Sequence, residues 1–291
     1  MSSQITTAFV EQYSANVQML SQQMGSQLRS AVDVETITGK NAFFEQIGSV
    51  AAQLKTTRHA DTPQIDTPHA RRRVSLEDYV FADLIDDVDK VRMLIDPTSS
   101  YAKAAAAAMN RSMDDVIISA LGGTAFTGTT GSTSTALPSE SKFATSNQSD
   151  GLTIAKLLAA KKRFDLQDVD PSIPRYIVCG PQQISDLLGT TEIKSSDFNT
   201  VKALAQGQVD SFLGFKFITS NRLKLDATNT DDRLAYAFTQ DSIKLAIGKD
   251  VMSKIEERAD KNYSTQVYYC MSVGATRMEE EKVFQIPCHE A

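Results

Sequence analysis

The sequence predicts a mixed α+β chain, and three segments carry that prediction. Residues 101–123, YAKAAAAAMNRSMDDVIISALGG, are rich in helix formers and end at a Gly-Gly pair. Residues 175–189, RYIVCGPQQISDLLG, place a short apolar run before Gly-Pro and an amphipathic helix, as in an α/β unit. Residues 266–278, QVYYCMSVGATRM, alternate between two faces, which is typical of a long strand.

The composition is that of an ordinary globular protein. Of 291 residues, 41% are hydrophobic, 7% aromatic and 23% charged, which excludes wholesale disorder, collagen and disulfide scaffolds. The formal net charge of −6 and the pI near 5.2 have the wrong sign for neutralising many phosphates. The three cysteines are scattered, with no pair at metal-ligand spacing, so we expect a reducing compartment and no metal site.

No targeting or membrane segment is predicted. The N-terminus has no basic segment ahead of an apolar run, so we expect no secretory signal. No stretch approaches about 18 consecutive apolar residues, so we expect no membrane span. The sequence therefore predicts a protein made in the cytoplasm, without a membrane partner.

The N-terminal region carries an amphipathic helical pattern. Apolar residues recur every three or four positions over 9–28, with Gln and Ser on the rest of the helix. Such a stripe fits a helix that faces its own core, and equally a helix that packs on a neighbouring subunit. The residues of the stripe are Phe9, Tyr13, Val17, Leu20, Met24 and Leu28.

An irregular and charged segment follows. Residues 55–76 contain two Thr-Pro pairs and three consecutive arginines, so we expect an extended excursion, with a net charge of +3. Residues 77–96 carry a net charge of −5. Adjacent blocks of opposite sign suit a surface that meets another copy of the chain, while a solvated face is the plainer interpretation. The candidate contact residues between subunits are Phe9, Tyr13, Val17, Leu20, Arg58, Arg71, Arg72, Arg73, Asp83, Asp86 and Asp87.

The alanine-rich helix is bounded by recognisable signals. Ser99 or Ser100 is predicted to cap its start, and Gly122-Gly123 to end it. Beyond it, 15 of the 25 residues in 127–151 are Ser, Thr or Gly. Such a composition cannot order itself by burial, so we expect a mobile loop or linker there.

Short helices and strands are predicted after this loop. Asp150 is expected to cap the helix GLTIAKLLAAKKRF, and Asp197 to cap the helix FNTVKALAQ. The predicted strands are RYIVC, VDSFLGFKFITS, LAYAFTQ and SIKLAIG, followed by the long strands MSKIEERAD and QVYYCMSVGATRM.

No assembled reaction centre is predicted. The three histidines, His59, His69 and His289, lie in the excursion or near the C-terminus, where we expect no rigidly held catalytic base. The glycines of GGTAFTG follow a helix and lack the Lys-Ser/Thr of a phosphate loop. The segment LDATNTDD is interpreted as a turn, and Cys179 as a small core residue. We therefore predict no catalytic, cofactor-binding or metal-binding residues.

Several short motifs occur in a fixed order in the second half of the chain. The strand, Pro and helix of 175–189 are followed by Phe212-Leu213-Gly214-Phe215 with Ser220, by Asp260 on an extended strand, and by Gly274-Ala275-Thr276-Arg277. In this order the sequence resembles the major capsid proteins of tailed bacteriophages, which have the fold named after phage Hong Kong 97. No single motif carries the resemblance; the order of the motifs does.

The resemblance implies a Hong Kong 97-like architecture for the whole chain. It places an N-terminal arm at 1–54 and an extended loop at 55–80 that lies over a neighbouring subunit. A peripheral domain with a long spine helix takes 81–149 and 246–291, and an axial α/β domain takes 150–245. The arm is shorter than the scaffolding segment that some members remove by proteolysis, so the resemblance implies a separate scaffolding protein.

Three functions are compatible with the sequence. The first is a structural, non-enzymatic major capsid protein of the virion, which forms hexamers and pentamers of an icosahedral head around double-stranded DNA without sequence-specific binding. Its implied partners are other copies of itself, a scaffolding protein, a portal protein and a cement protein. The second is an encapsulin-like compartment shell protein. The third is a small α/β enzyme built on residues 175–190, which requires a cleft and a cofactor that the sequence does not suggest.

Overall fold

The computed structural model describes residues 21–58, 61–62, 64–86, 98–143, 150–189, 211–227 and 229–290. Within these ranges the chain mixes helices and strands, which confirms the predicted class. The helices are α1 (Thr98–Gly122), α2 (Ile154–Leu166) and α3 (Pro181–Gly189). The strands are β1 (Asp33–Thr36), β2 (Asn41–Ile47), β3 (His69–Ser75), β4 (Glu77–Ile85), β5 (Ala125–Thr127), β6 (Thr133–Thr135), β7 (Arg175–Cys179), β8 (Ser211–Phe212), β9 (Phe215–Thr219), β10 (Asp232–Thr239), β11 (Ile243–Arg258), β12 (Ser264–Arg277) and β13 (Val283–His289).

A five-stranded sheet holds the predicted α/β unit. Its order is β13-β10-β7-β9-β8, with β7 and β9 parallel and β10 antiparallel to both β7 and β13. Strand β7 leads directly into α3, which begins at Pro181 and ends at Gly189 as predicted. The predicted strand VDSFLGFKFITS is instead a hairpin, because Leu213 and Gly214 adopt positive φ angles of 53° and 86° between β8 and β9.

A second sheet has the order β2-β3-β5-β6, and the excursion connects two of its strands, β2 and β3. Strands β2 and β3 pair antiparallel from Asn41 opposite Ser75 to Ile47 opposite His69. Residues 48–68 connect the two strands and have no regular secondary structure where they are described. The excursion predicted over 55–76 is therefore irregular only in its first part, because its second part forms β3.

The prediction of a mobile loop over 127–151 is wrong for the first half of that segment. Strands β5 and β6 form a hairpin there, and β5 continues the sheet by pairing with Arg72 and Arg73 of β3. Leu137 and Ser141 are buried, and the Ser141 hydroxyl donates to the carbonyl oxygen of Glu280 at 3.0 Å. Backbone pairing and these contacts supply the order that composition does not reveal.

The third sheet has the order β1-β11-β12-β4. The short strand β1 pairs in parallel with Lys244–Ile247 at the start of β11. The long closing strands predicted from the alternating pattern are confirmed, since β11 and β12 contain 16 and 14 residues. Val267, Met271 and Val273 of the predicted apolar face are buried.

The chain forms two compact units. The first contains the described parts of 1–26 together with 78–112 and 249–271; the second contains 27–77, 113–248 and 272–291. This division by compactness does not test the domain limits expected from the resemblance, which remain a prediction.

Helix α2 packs its apolar face on the five-stranded sheet. Leu157, Ala160 and Phe164 are fully buried, and the Phe164 ring lies 6.0 Å from the ring of Phe215. Burying each large side chain contributes roughly 1.5–3 kcal/mol. The helix is capped by Thr153, whose Oγ1 accepts from the backbone N–H of Lys156 at 3.4 Å, so the predicted cap at Asp150 is wrong.

Two cysteines complete this core. Burial raises the pKa of the Cys179 and Cys288 thiols to about 12. Cys179 is fully buried, in agreement with its interpretation as a small core residue.

Helix α1 differs from its prediction at its start only. It begins at Thr98, so the proposed caps Ser99 and Ser100 lie inside its first turn. It ends at Gly122 as predicted, and Gly122 lies against the Tyr236 hydroxyl, where a side chain would overlap it. In the described part of the chain, no helix has both the length and the hydropathy needed to cross a membrane.

The helical stripe predicted over 9–28 does not continue to Leu28. Residues 21–28 are not helical, and two of their backbone donors bond to a distant side chain. The N–H groups of Gln27 and Leu28 donate to the two carboxylate oxygens of Asp114, at 3.1 and 3.2 Å. The first four stripe residues, and the helix predicted after Asp197, lie outside the described residues.

The glycine of the Gly-Ala-Thr-Arg motif marks a close approach of two strands. A Cβ at Gly274 would overlap the carbonyl oxygen of Ser75, a backbone atom that cannot rotate away. We predict that Gly274→Ala destabilises the subunit by about 1–3 kcal/mol, measured by urea unfolding. Gly25→Ala, where a Cβ meets nothing within 4 Å, is the matched control. Equal stability of the two variants would contradict the close approach.

Candidate functional site

The three consecutive arginines lie on β3 and point to alternate faces, since successive residues of a strand do so. Arg72 is 7% exposed and faces its own subunit. Arg71 and Arg73 are half-buried on the other face. The expectation that all three arginines contact a neighbouring subunit is therefore corrected for Arg72, which is buried in its own subunit.

Arg72 is held by an ion pair and a backbone carbonyl. Its Nη2 lies 2.6 Å from Oε2 of Glu280, and its Nε donates to the carbonyl oxygen of Met278 at 3.0 Å. The Glu280 side chain is only 12% exposed. Removing Glu280 would leave the buried Arg72 guanidinium without its counter-charge, so the pair fixes β3 against the segment before β13.

Arg277, the last residue of the Gly-Ala-Thr-Arg motif, shares the same glutamate. Its side chain is fully buried, and its Nε lies 3.5 Å from Glu280 Oε1. Burial lowers the pKa of Arg277, while the Glu280 charge opposes that shift. Two guanidinium groups thus surround one carboxylate in the interior of the second unit.

The other donors of Arg277 hold the end of α1. Its Nη1 donates to the carbonyl oxygens of Leu121 at 3.0 Å and Gly123 at 2.8 Å, and its Nη2 to that of Thr135 at 3.2 Å. The last carbonyls of a helix have no partner within the helix, and a cation beside them is favourable. Arg277 therefore caps the long helix and ties it to the β5–β6 hairpin.

The outward face of the β2–β3–β5 sheet is an arginine and aromatic surface. The Arg71 guanidinium lies 5.6 Å from the centroid of Phe43 and pairs with Glu45 at 2.7 Å. The Arg73 guanidinium lies 4.9 Å from the centroid of Phe126. Phe43 and Phe126 are each 39% exposed, so the face combines cation–π pairs with accessible apolar area.

A shallow cavity of about 370 Å³ opens beside this surface, at the base of the excursion. It combines cationic, anionic and hydroxyl groups, with Arg71 beside Glu45. Its lining residues are Glu45, His69, Ala70, Arg71, Thr127, Gly128 and Thr129.

The excursion itself is exposed throughout its described length. Every described residue from Ile47 to Ala70 is exposed, including Arg58. Leu54 is 88% exposed, and Val50 and Ile65 are also open to solvent. The excursion thus exposes apolar side chains that its own described residues do not cover.

The predicted acidic contacts are distributed over and after β4. Asp83 is half-buried on β4, and its Oδ1 accepts from the N–H of Leu84. Asp86 accepts from the Ser264 hydroxyl at 3.3 Å. Asp87, together with Phe9, Tyr13, Val17 and Leu20, lies outside the described residues.

The histidines do not form a catalytic site in the described part of the chain. His289 is ordered, contrary to expectation, because it lies on β13, which pairs with β10 at the edge of the five-stranded sheet, and its Nδ1 lies 3.2 Å from Asp232. His69 is exposed at the start of β3, and His59 lies outside the described residues. Among the described residues, no group of His, Cys, Asp or Glu side chains has the arrangement of a metal site.

The remaining motif residues have structural partners. Ser220 is buried, and its backbone N–H donates to the carbonyl oxygen of Cys179 at 2.9 Å. Asp260 lies after β11 and pairs with Arg258 at 2.6 Å; the hydrogen bonds from Arg258 lower the pKa of Asp260. These residues organise turns and strand ends and form no shared site.

Sequence reasoning missed the cluster of Arg72, Glu280 and Arg277. Only the tertiary structure joins positions that are 208 residues apart in sequence. It also missed the rings beside Arg71 and Arg73, since Phe43 and Phe126 belong to other strands. A period-two pattern applied to β3 would have separated Arg72 from its neighbours.

Comparison with known proteins gives consistent matches. A family model described as phage capsid protein matches residues 5–290. No curated protein matches the chain. Among solved structures, the capsid of the cyanophage P-SCSP1u has a TM-score of 0.73 at 17% identity, covering 99% of this chain and 95% of that one.

Two further structures show the same fold. The structure of Mycobacterium phage Che8 has a TM-score of 0.68 at 17% identity, covering 96% of this chain and 97% of that chain. The capsid of Ralstonia phage GP4 has a TM-score of 0.73 at 11% identity, covering 98% and 96% respectively. The chain therefore matches these structures over nearly its full length.

The buried arginine cluster makes a prediction about stability. Glu280→Leu leaves the buried guanidinium groups of Arg72 and Arg277 without their carboxylate, so we expect a loss of about 3–5 kcal/mol in the free energy of unfolding. Arg258→Leu, which removes an exposed pair with Asp260, should change it little. Urea unfolding of the unassembled subunits measures both. A tolerated Glu280→Leu would show that the cluster does not hold the fold.

Proposed function

The chain belongs to the phage capsid protein family, and from this premise we propose that its copies form the hexamers and pentamers of an icosahedral head. As a member of this family it is a structural protein of the virion that associates with copies of itself, and its fold is that of phage head shells. Closed symmetric shells require each subunit to offer complementary surfaces to its neighbours.

The single observation that carries the proposal is the exposed excursion between β2 and β3. Its exposed Val50, Leu54 and Ile65 have no partner surface on the excursion itself. Ordering an exposed segment costs conformational entropy, which contact with a neighbour would offset. The excursion therefore supports a role as a contact between subunits.

Charge supports the same role. Arg58 on the excursion is exposed, and Arg71 and Arg73 present cations on the outward face of the sheet at its base. Asp83 and Asp86 lie in the acidic segment that we propose as the opposing surface of a neighbour. Each such contact is modest, and repetition by symmetry makes the shell stable.

The remaining features of the proposal follow from the resemblance. They are the arm at 1–54, the loop at 55–80, the peripheral and axial domains, a separate scaffolding protein, a portal protein and a cement protein. We also propose that the shell encloses double-stranded DNA without sequence-specific binding. The net charge of −6 supports this, because a negative wall does not hold DNA tightly. No observation favours the compartment shell or the enzyme over the capsid.

Electron microscopy of the purified protein tests the proposal. Expressed together with a scaffolding protein from the same source, the chain should form closed shells or capsomer rings, and sedimentation should show species much larger than a subunit. The chain expressed alone is the control for the scaffold requirement. Monomers alone, under both conditions, would refute the shell function.

The outward arginines make a separate prediction. Arg71→Glu combined with Arg73→Glu should abolish assembly while the subunit stays folded, because both side chains are half-exposed and outside the Glu280 cluster. Circular dichroism checks the fold and sedimentation checks assembly. Lys161→Glu with Lys162→Glu, an equal change of charge on α2, is the matched control. Normal particles from the Arg71 and Arg73 variant would rule out their role between subunits.

A further inference from the structure

Within the described part of the chain, β4 is an edge strand without the lysine or proline that commonly protects such edges. It ends the order β1-β11-β12-β4, so among the described residues no strand pairs with its outer edge. Its sequence, EDYVFADLI, contains no Lys, Pro or Gly and is rich in strand-forming residues. An exposed edge of this kind pairs readily with another extended chain.

The other edge of this sheet carries lysine side chains, unlike β4. Strand β1 pairs only with Lys244–Ile247, so the later part of β11 also lacks a strand neighbour among the described residues. That part carries Lys249 and Lys254, and charged side chains, lysine above all, discourage pairing. The contrast identifies β4 as the edge that is open to a partner.

One face of β4 is apolar and exposed. Asp78, Val80, Ala82 and Leu84 are exposed, whereas Tyr79, Phe81 and Asp83 are half-buried and Ile85 is buried. Val80 is 57% and Leu84 45% exposed. Residues 77–85 hold three acidic side chains and no basic one. A partner strand should therefore offer small or apolar residues at period two and a positive charge.

Residues 50–58 of the excursion have those properties. The segment VAAQLKTTR contains Lys55 and Arg58 and no acidic residue, and all nine of its residues are exposed. Val50, Ala52 and Leu54 alternate at period two. At about 3.3 Å per residue it extends about 30 Å, the length of nine residues centred on Ala82.

We propose that residues 50–58 of a second copy add to the outer edge of β4 as a fifth strand, with Leu54 opposite Ala82. This rests on the proposed function, and it specifies the strand and the register of the contact between copies. With 50–58 set against 78–86, Leu54 meets Ala82 in either strand direction, because both residues are central. Arg58 then lies beside an acidic residue, Asp78 or Asp86, at whichever end it reaches.

The pairing would provide both main-chain hydrogen bonds and side-chain contacts between the two copies. Main-chain hydrogen bonds between the strands satisfy the edge of β4. Leu54 lies beside Ala82, and Ala52 and Thr56 lie beside Val80 and Leu84, in an order that the strand direction sets. A second β4 would be a poorer partner, because it brings acidic residues of the same sign.

Disulfide trapping tests the register. In a Cys270→Ser background, Leu54→Cys with Ala82→Cys places the two Cβ atoms about 4.5–5.5 Å apart across the strands. Mild oxidation of assembled particles should link most chains into ladders on non-reducing gels. Leu54→Cys with Asp83→Cys, whose second side chain points to the other face, is the matched control and should stay unlinked.

The outcomes separate this inference from the shell function. Particles without links in the Ala82 pair, or equal links in the Asp83 control, would overturn the register while the shell function stands. Links from Ala82→Cys alone would show pairing between two β4 strands instead. Where the double variant does not assemble, a peptide of residues 48–58 carrying Leu54→Cys should be captured by Ala82→Cys subunits and not by Asp83→Cys subunits; no capture would overturn the proposal.

Discussion

The fold of the second unit depends on one buried guanidinium. Arg277 donates to the last carbonyls of α1, to the β5–β6 hairpin, and lies beside Glu280, which also binds Arg72. A buried cation without such partners would be strongly unfavourable, so the groups around it must hold their positions together. Through these contacts, the end of the spine helix, the base of the excursion and the start of β13 occupy fixed places.

The same cluster decides which arginines remain for contacts between subunits. Because β3 is a strand, Arg72 is directed inward to Glu280, while Arg71 and Arg73 face outward beside Phe43 and Phe126. A count of charges treats the three residues as equal. Burial divides them into one residue that holds the subunit together and two that are available on its surface.

A subunit of a shell can be incomplete by itself. The excursion exposes apolar side chains, and β4 exposes Val80 and Leu84 on an edge that no other described strand pairs with. In a protein that functions alone, such features are liabilities for aggregation. In a capsid protein they are compatible with a partner surface that symmetry supplies many times over, so that modest contacts sum to a stable particle.

The sequence determined the features that depend on local patterns. Period-two alternation predicted β11 and β12, Gly-Pro and Gly predicted the limits of α3, and the order of motifs identified the family, which the match over 5–290 confirmed. Local patterns failed where distant groups compete for the backbone or balance a charge. Asp114 takes the donors that a helix through Leu28 would need, and β3 orders a Ser/Thr/Gly-rich segment by pairing with it. Only the tertiary structure could decide these points, and the role of Arg72, because hydrogen bonds and ion pairs depend on proximity in space rather than in sequence.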